Sequence, residues 1–296
     1  MFRELFAICM CFGFAISLAE AAEDSTSRPN ISAATIVDRN VAARGGLQAW
    51  RSVQTISMEG KLGAGGNQRT AIPIPSPDKK VIKQALPSRP AEEAQLPFLM
   101  EMKRSRKMRL ELQFNGQTAI QVFDGTDGWK LRPFLNRRVV EPFTPEEIKA
   151  ASRQTDLDGP LVDYVAKGTQ VELEGMEKVE DRNTYKLKLK TRTGETTHVW
   201  IDAQSFLEAK IEGQPRRLDG TDHPVEVYYR DYRPVNGLQI PFILETKVLP
   251  VSKTALGLRD TPVPPEKIAI DKVTINPKLE DSLFAKPGAG VAGNTK

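Results

Sequence analysis

From Met108 to Phe114 the chain alternates without a break: Met108, Leu110, Leu112 and Phe114 are apolar, while Arg109, Glu111 and Gln113 are polar. Successive side chains of a strand point to opposite faces, so this period of two makes one face apolar and leaves the other in water. That is the pattern of a half-buried antiparallel strand. Phe98, Met100 and Met102 repeat it just upstream. Further strands read over Val53–Lys61, from Trp129 through Leu131, and over Gln170–Glu174, Thr184–Lys190, Thr196–Ile201 and Leu207–Ile211. Pro224–Tyr232, Leu238–Val248 and Ile268–Ile275 complete the set. Gly168, Gly175, Gly194, Gly213 and Asn236-Gly237 sit among the junctions. Strands spaced by about 8–12 residues around a small helical insert predict a mainly β (α+β) chain built on one curved antiparallel sheet.

Asn115-Gly116 marks a hairpin. A two-residue loop would put Gln117, Ala119 and Gln121 on the apolar face, and a three-residue loop would put Thr118, Ile120 and Val122 there. A slip of one residue flips every side chain, so the apolar set predicts an odd-length loop or a bulge. Ser32 reads as the N-cap of a helix containing Ile36, Val37 and Val41, which Gly45-Gly46 ends. Thr144-Pro145-Glu146-Glu147 reads as a second helix start, with a capping box and proline at the first helical position. A short segment from Leu161 to Val165 is apolar on one side. Pro73, Pro75, Pro77, Pro87, Pro90 and Pro97 exclude central strands from their neighbourhood, so residues 64–95 read as a long loop with at most an edge strand.

Met1-Phe2-Arg3-Glu4, an apolar run from Leu5 to Leu18 and Ala19-Glu20-Ala21 have the form of a secretory signal cleaved after Ala21. The run falls short of the ~20 residues a membrane span needs. Residues 22–31 would then be a linker and 288–296, rich in glycine and alanine, a disordered tail. The only cysteines, Cys9 and Cys11, leave with the signal. The exported domain must therefore rely on its core rather than on disulfides. A net charge of +4, spread along the chain, excludes a nucleic-acid surface and favours at most weak attraction to anionic membranes.

Catalytic constellations are missing. His198 and His223 are the only histidines, neither stands at ligand spacing from a carboxylate pair, and no metal site is expected. There is no Gly-x-Ser-x-Gly and no phosphate-binding loop. The Asp-Gly turns explain Asp124 and Asp127 on backbone grounds. Alternating faces explain the aromatic and basic residues of Tyr228–Arg233. An enzyme is not expected. Met100, Met102 and Met108 share a predicted face, and methionine adapts to irregular apolar partners. An ordinary core under the helices accounts for them equally well, so the residues alone leave core and pocket both open.

Several stretches resemble the LolA-like family of periplasmic outer-membrane lipoprotein-sorting proteins. They are Ala42-Ala43-Arg44-Gly45-Gly46 with Trp50, Val53 and Gly60; Met100–Arg104 with Lys107–Glu111; and Phe123–Trp129. Val199–Asp202, Asp231–Pro241 and Asn276-Pro277 with Leu283-Phe284 and Pro287 continue the match. The resemblance spans residues 32 to about 287. It implies an unclosed, strongly curved half-barrel whose short helices cover the concave face. It also implies a periplasmic carrier that holds lipoprotein or lipid acyl chains, with no cofactor, and that hands them between membrane-bound donor and acceptor proteins through transient membrane contact. On this picture Phe98, Met100, Met102, Met108, Leu110, Leu112, Phe114, Ile120, Val122, Trp129, Leu161 and Val165 line the cavity, and the 144–165 segment resembles a lid. The family's hook arginine has no matching motif here; Arg44, Arg51, Arg69 and Arg104 are the candidates. The proline-rich insertion departs from the compact carrier pattern. The alternative is an envelope-stress or signalling regulator that uses the same fold to bind proteins.

Overall fold

The computed structural model describes residues 31–65, 93–133, 137–218, 220–252 and 263–288. The signal and linker expected over residues 1–30, the proline-rich stretch from 66 to 92 and the last eight residues lie outside the described residues. The strands are β1 (Thr55–Gly65), β2 (Glu93–Lys103), β3 (Lys107–Phe114), β4 (Gln117–Phe123), β5 (Gly128–Arg132) and β6 (Arg137–Pro142). They continue as β7 (Gln170–Val179), β8 (Arg182–Lys190), β9 (Thr196–Asp202), β10 (Glu208–Glu212), β11 (Arg216–Leu218) and β12 (Thr221–His223), then β13 (Val225–Val235), β14 (Leu238–Val248) and β15 (Glu266–Ile275). Thirteen of them form one sheet in the order β6-β5-β4-β3-β2-β1-β15-β14-β13-β10-β9-β8-β7, and β11 pairs only with β12. Every pairing is antiparallel between neighbours, and the edge strands β6 and β7 do not pair with each other. The sheet is therefore an unclosed half-barrel, as the sequence motifs imply.

Three helices follow the predicted signals. In α1 (Ala33–Ala43) the Ser32 hydroxyl accepts from the Thr35 N–H at 3.1 Å, and Gly45 and Gly46, with φ of 115° and 95°, turn the chain out of the helix. Gly45 is also sterically obligatory, because a β-carbon there would lie 2.5 Å from the Gly237 carbonyl oxygen. α2 (Leu47–Ser52) follows at once. α3 (Pro145–Gln154) has the complete capping box between Thr144 and Glu147. The stretch from Leu161 to Val165 forms turns rather than a helix.

The sheet is covered on both faces, and this was not foreseen. On the inner face, Trp50, Val53, Leu157 and Val162 pack on Ile56, Met102 and Met108, while Ile36, Val37 and Leu161 pack on Leu187, Leu189, Val199 and Ile201. On the outer face the C-terminal segment runs across five strands. Thr55 Oγ1 donates to the Pro277 carbonyl, Lys103 Nζ to that of Leu279 and Arg109 Nη1 to that of Leu283. Phe284 then closes a cluster with Ile120, Val122 and Leu131.

That second cover overturns the predicted hairpin. Phe114 pairs with Gln117, so the loop is the two residues Asn115 and Gly116, both at positive φ (49° and 70°) as a type I′ turn requires. Ala119 and Phe123 share the face of Met108; Ile120 and Val122 point outward and are buried there instead. Two further readings need correction. β1 continues to Gly65 and β2 begins at Glu93, so the ends of the stretch read as loop are strand. β2 is a central strand that contains Pro97, but its pairing with β3 starts only at Phe98, and the proline falls outside that ladder.

The β7–β8 turn is tied to β13 by a bidentate pair between Glu180 and Arg230, at 2.6 and 2.8 Å. The Arg230 hydrogen bonds hold the Glu180 carboxyl at about 2, against an ordinary 4.5. A carboxyl depressed by folding stabilises fully above its ordinary value and loses that contribution as pH falls toward the depressed one. Acid unfolding of Glu180→Gln should thus show a shallower dependence between pH 4.5 and 2 than the parent chain. Parallel curves would contradict this.

Candidate functional site

Pairing brings the inner-face residues of the central strands into rows. At one end Ile56, Met102 and Met108 lie side by side and are buried under Trp50, Val53, Leu157 and Val162. The next row is Met58, Met100 and Leu110, with Val273 beside Met58, and all four are only partly buried. Then come Gly60, Phe98 and Leu112 with Ile270, and finally Leu62 with Leu96, Ile268 and Leu244. Along β3 exposure rises from 6% at Met108 to 36% at Phe114. The wall is sealed at the Met108 end and opens toward the Asn115-Gly116 hairpin. Phe98 is buried because it takes the space a side chain at 60 would need: a β-carbon on Gly60 would come within 3.0 Å of its Cε1.

Of the residues predicted to line the cavity, Phe98, Met100, Met102, Met108, Leu110, Leu112 and Phe114 do share this wall. Ile120 and Val122 do not, nor does Trp129, which is paired with Val122 on the outer face. Leu161 belongs to the separate cluster under α1, and Val165 is 72% exposed. Met58, Leu62, Leu244, Ile268 and Val273 were missed. The alternation of Ile56 and Met58 within the first predicted strand, continued by Leu62 one residue past its end, was the available signal.

The chain between the two sheet edges, carrying α3, crosses the inner face and is pinned at several points. Near β5, Lys130 binds Glu147 at 2.5 Å, and at the other side Arg153 donates to Gln214 at 2.6 Å and pairs with Glu195. In its middle, Arg104 makes a bidentate pair with Asp158 at 2.8 and 2.9 Å and also donates to the Trp50 and Val53 carbonyls. Arg51 grips Asp163 in the same bidentate way, and its hydrogen bonds hold that carboxyl below its ordinary value. Arg44 donates to the Asp158 carbonyl at 2.8 Å, pairs with Glu208 at 3.3 Å and stacks on Trp50 at 4.3 Å. Arg44, Arg51 and Arg104 thus all fasten the crossing segment; Arg69 lies outside the described residues. Replacing Arg104 with methionine leaves a buried Asp158 unpaired and should cost about 2 kcal/mol. Chemical denaturation checks this, and hydrogen exchange should show residues 155–168 opening first.

Tyr232, whose hydroxyl donates to Glu208 at 3.1 Å, and Tyr229 form a polar seam with Arg44 between the two inner apolar clusters. Burial and then the Glu208 charge push both phenols up. A separate cavity of about 420 Å³ lies beside Arg153, Glu195, Glu212 and Glu226. Its carboxylates already have partners: Glu195 pairs with Arg153, Glu226 with Lys210, and Glu212 is hydrogen-bonded to His198. Among the described residues, no group of three histidine, cysteine or acidic side chains could hold a metal ion, and no helix is long and apolar enough to cross a membrane.

No protein-family model matches the chain, and no curated protein matches it. Solved structures similar to it include a DUF1329 family protein from Desulfovibrio piger, with 11% identity, a TM-score of 0.50, and coverage of 86% of this chain and 97% of that one. The LolA superfamily protein NE2245 from Nitrosomonas europaea has 14% identity, a TM-score of 0.49 and coverage of 86% and 98%. A domain assigned to outer membrane lipoprotein sorting in Vibrio parahaemolyticus has 11% identity, a TM-score of 0.48 and coverage of 86% and 96%. At such identities the likeness is one of fold alone, an unclosed antiparallel half-barrel.

Proposed function

We propose that this protein is an exported carrier that holds hydrocarbon chains of a lipid or an acylated protein against the Met58–Met100–Leu110 wall and delivers them toward the outer membrane. One observation carries the reading. The wall is apolar and partly open, yet at the Met58–Met100–Leu110 row its strands β1, β2 and β3 are each flanked by partners on both sides. A peptide lying there would find no free backbone groups and would bury its own amides unsatisfied, at a cost of about 1–3 kcal/mol each. A hydrocarbon chain carries no such groups. Each methylene it buries is worth ~0.8 kcal/mol, so ten supply about 8 kcal/mol before losses, the scale of a micromolar carrier. Such binding needs no catalytic group and no cofactor. It suits an exported protein with a signal-like start, a diffuse positive charge and donor and acceptor partners at two membranes.

Displacement of a fluorescent fatty acid tests the reading. The parent chain should take it up at micromolar affinity. Leu110→Glu, which sets a charge on the open wall, should lower the affinity at least tenfold while the domain stays folded by circular dichroism. A parent chain that ignores the probe, or equal binding by both, would sink the proposal.

A further inference from the structure

We propose that the Met58–Met100–Leu110 row is the last position a bound chain reaches, so that its distance from the open rim sets the chain length the protein prefers. This rests on the carrier reading above and assigns specificity within the same wall. Three observations point to it. Beyond that row the wall is shut, because Met102, Met108 and Ile56 are buried under Trp50, Val53, Leu157 and Val162. The cover over that end is fastened by charged groups, since Arg104 holds Asp158 together with the Trp50 and Val53 carbonyls. Phe98 takes the space left by Gly60, and the partly buried apolar surface resumes on the far side at Met58, Met100 and Leu110.

The geometry supplies a length. From Phe114 at the rim past the partly buried Leu112 to Leu110 is four residues of β3, or about 14 Å at ~3.4 Å per residue. An extended hydrocarbon advances about 1.3 Å per methylene, given tetrahedral carbons joined by ~1.5 Å bonds. The open wall therefore accepts roughly eleven methylenes. Affinity should climb about fourfold per added methylene up to that length and flatten beyond it, because further methylenes remain in water at the rim.

The experiment measures dissociation constants for a series of straight-chain fatty acids from eight to eighteen carbons on the full exported chain. Filling the row with Met100→Trp should move the plateau to shorter chains by about five carbons, one row being two residues, ~7 Å. Met58→Phe, a smaller change on the neighbouring strand, should move it the same way, and serves if the tryptophan variant does not fold. Affinity that climbs through the whole series, or a plateau that neither substitution shifts, overturns the ruler while leaving the carrier reading intact. Failure of the parent chain to bind any member overturns both.

Discussion

Phe284→Ala is expected to destabilise the domain by about 3–5 kcal/mol, a large share of what a domain of this size possesses. Phe284 is 1% exposed and is the residue through which the C-terminal segment closes the outer cluster of Ile120, Val122 and Leu131, with Trp129 and Val140 around it. Its loss removes more than one buried ring. Leu279 and Leu283 of the same segment pack beside it only partly buried, and the rest is held by single hydrogen bonds to Thr55, Lys103 and Arg109 and by Asp281 between Lys103 and Lys107. Asp281 is exposed, and exposed ion pairs contribute little. Without the anchor, the outward faces of β4 and β5 meet water. Urea unfolding should show the lower midpoint, and hydrogen exchange should show β4 and β5 losing protection. A loss under 1 kcal/mol would mean that the segment is not part of the core.

Gly60→Ala should cost about 3 kcal/mol for a different reason. A β-carbon at that position would lie 2.2 Å from the Ala269 carbonyl oxygen and 2.9 Å from Ile270 Cα, both of them backbone. Flexible side chains can retreat from a new methyl group, but a backbone in the middle of a sheet cannot. β1 and β15 meet here at a register shift between Glu59 and Gly60, an irregularity in the ladder that the absence of a side chain at 60 accommodates. Alanine must spread β1 from β15, and the Phe98 ring, 3.0 Å from the new carbon, must shift as well. Loss of stability should be accompanied by altered near-ultraviolet dichroism from the aromatic wall. An alanine variant as stable as its parent would contradict the packing described.

The strands, the two long helices and their caps were legible because each has a local cause. Ser32 and Thr144 accept from the expected N–H groups, and Gly45-Gly46 ends α1 where two glycines cost most. The wall from Phe98 to Phe114 was legible for the same reason, since period two needs no tertiary information. Ile120 and Val122 failed because alternation says that two residues share a face without saying which face. That inference assumed a single buried side. The outer cover comes from Phe284, about 160 residues away in the chain, and no local pattern announces it. The Asn115-Gly116 turn chemistry was the better guide, since two residues at positive φ specify the tight loop directly. The segment from Leu161 to Val165 reads as apolar on one side, which places both residues together. In turns that periodicity does not apply, so one is exposed and the other is buried under α1.

Met58 shows how far the site itself could be read. Its alternation with Ile56 and Leu62 was visible, but its place opposite Met100 depends on the β1–β2 register, which follows from neither strand alone. The arginines were harder still. Arg44, Arg51 and Arg104 have no common motif, and their shared role appears only when residues 156–163 fold back over them.

Native mass spectrometry of the protein recovered from its own host examines the greasy wall most directly. The parent chain should show a population heavier than the bare chain by the mass of an acylated molecule, and Leu110→Glu should lose that population. A parent chain that always flies at its bare mass, with Met58, Met100 and Leu110 shielded from solvent by its own atoms, would contradict it.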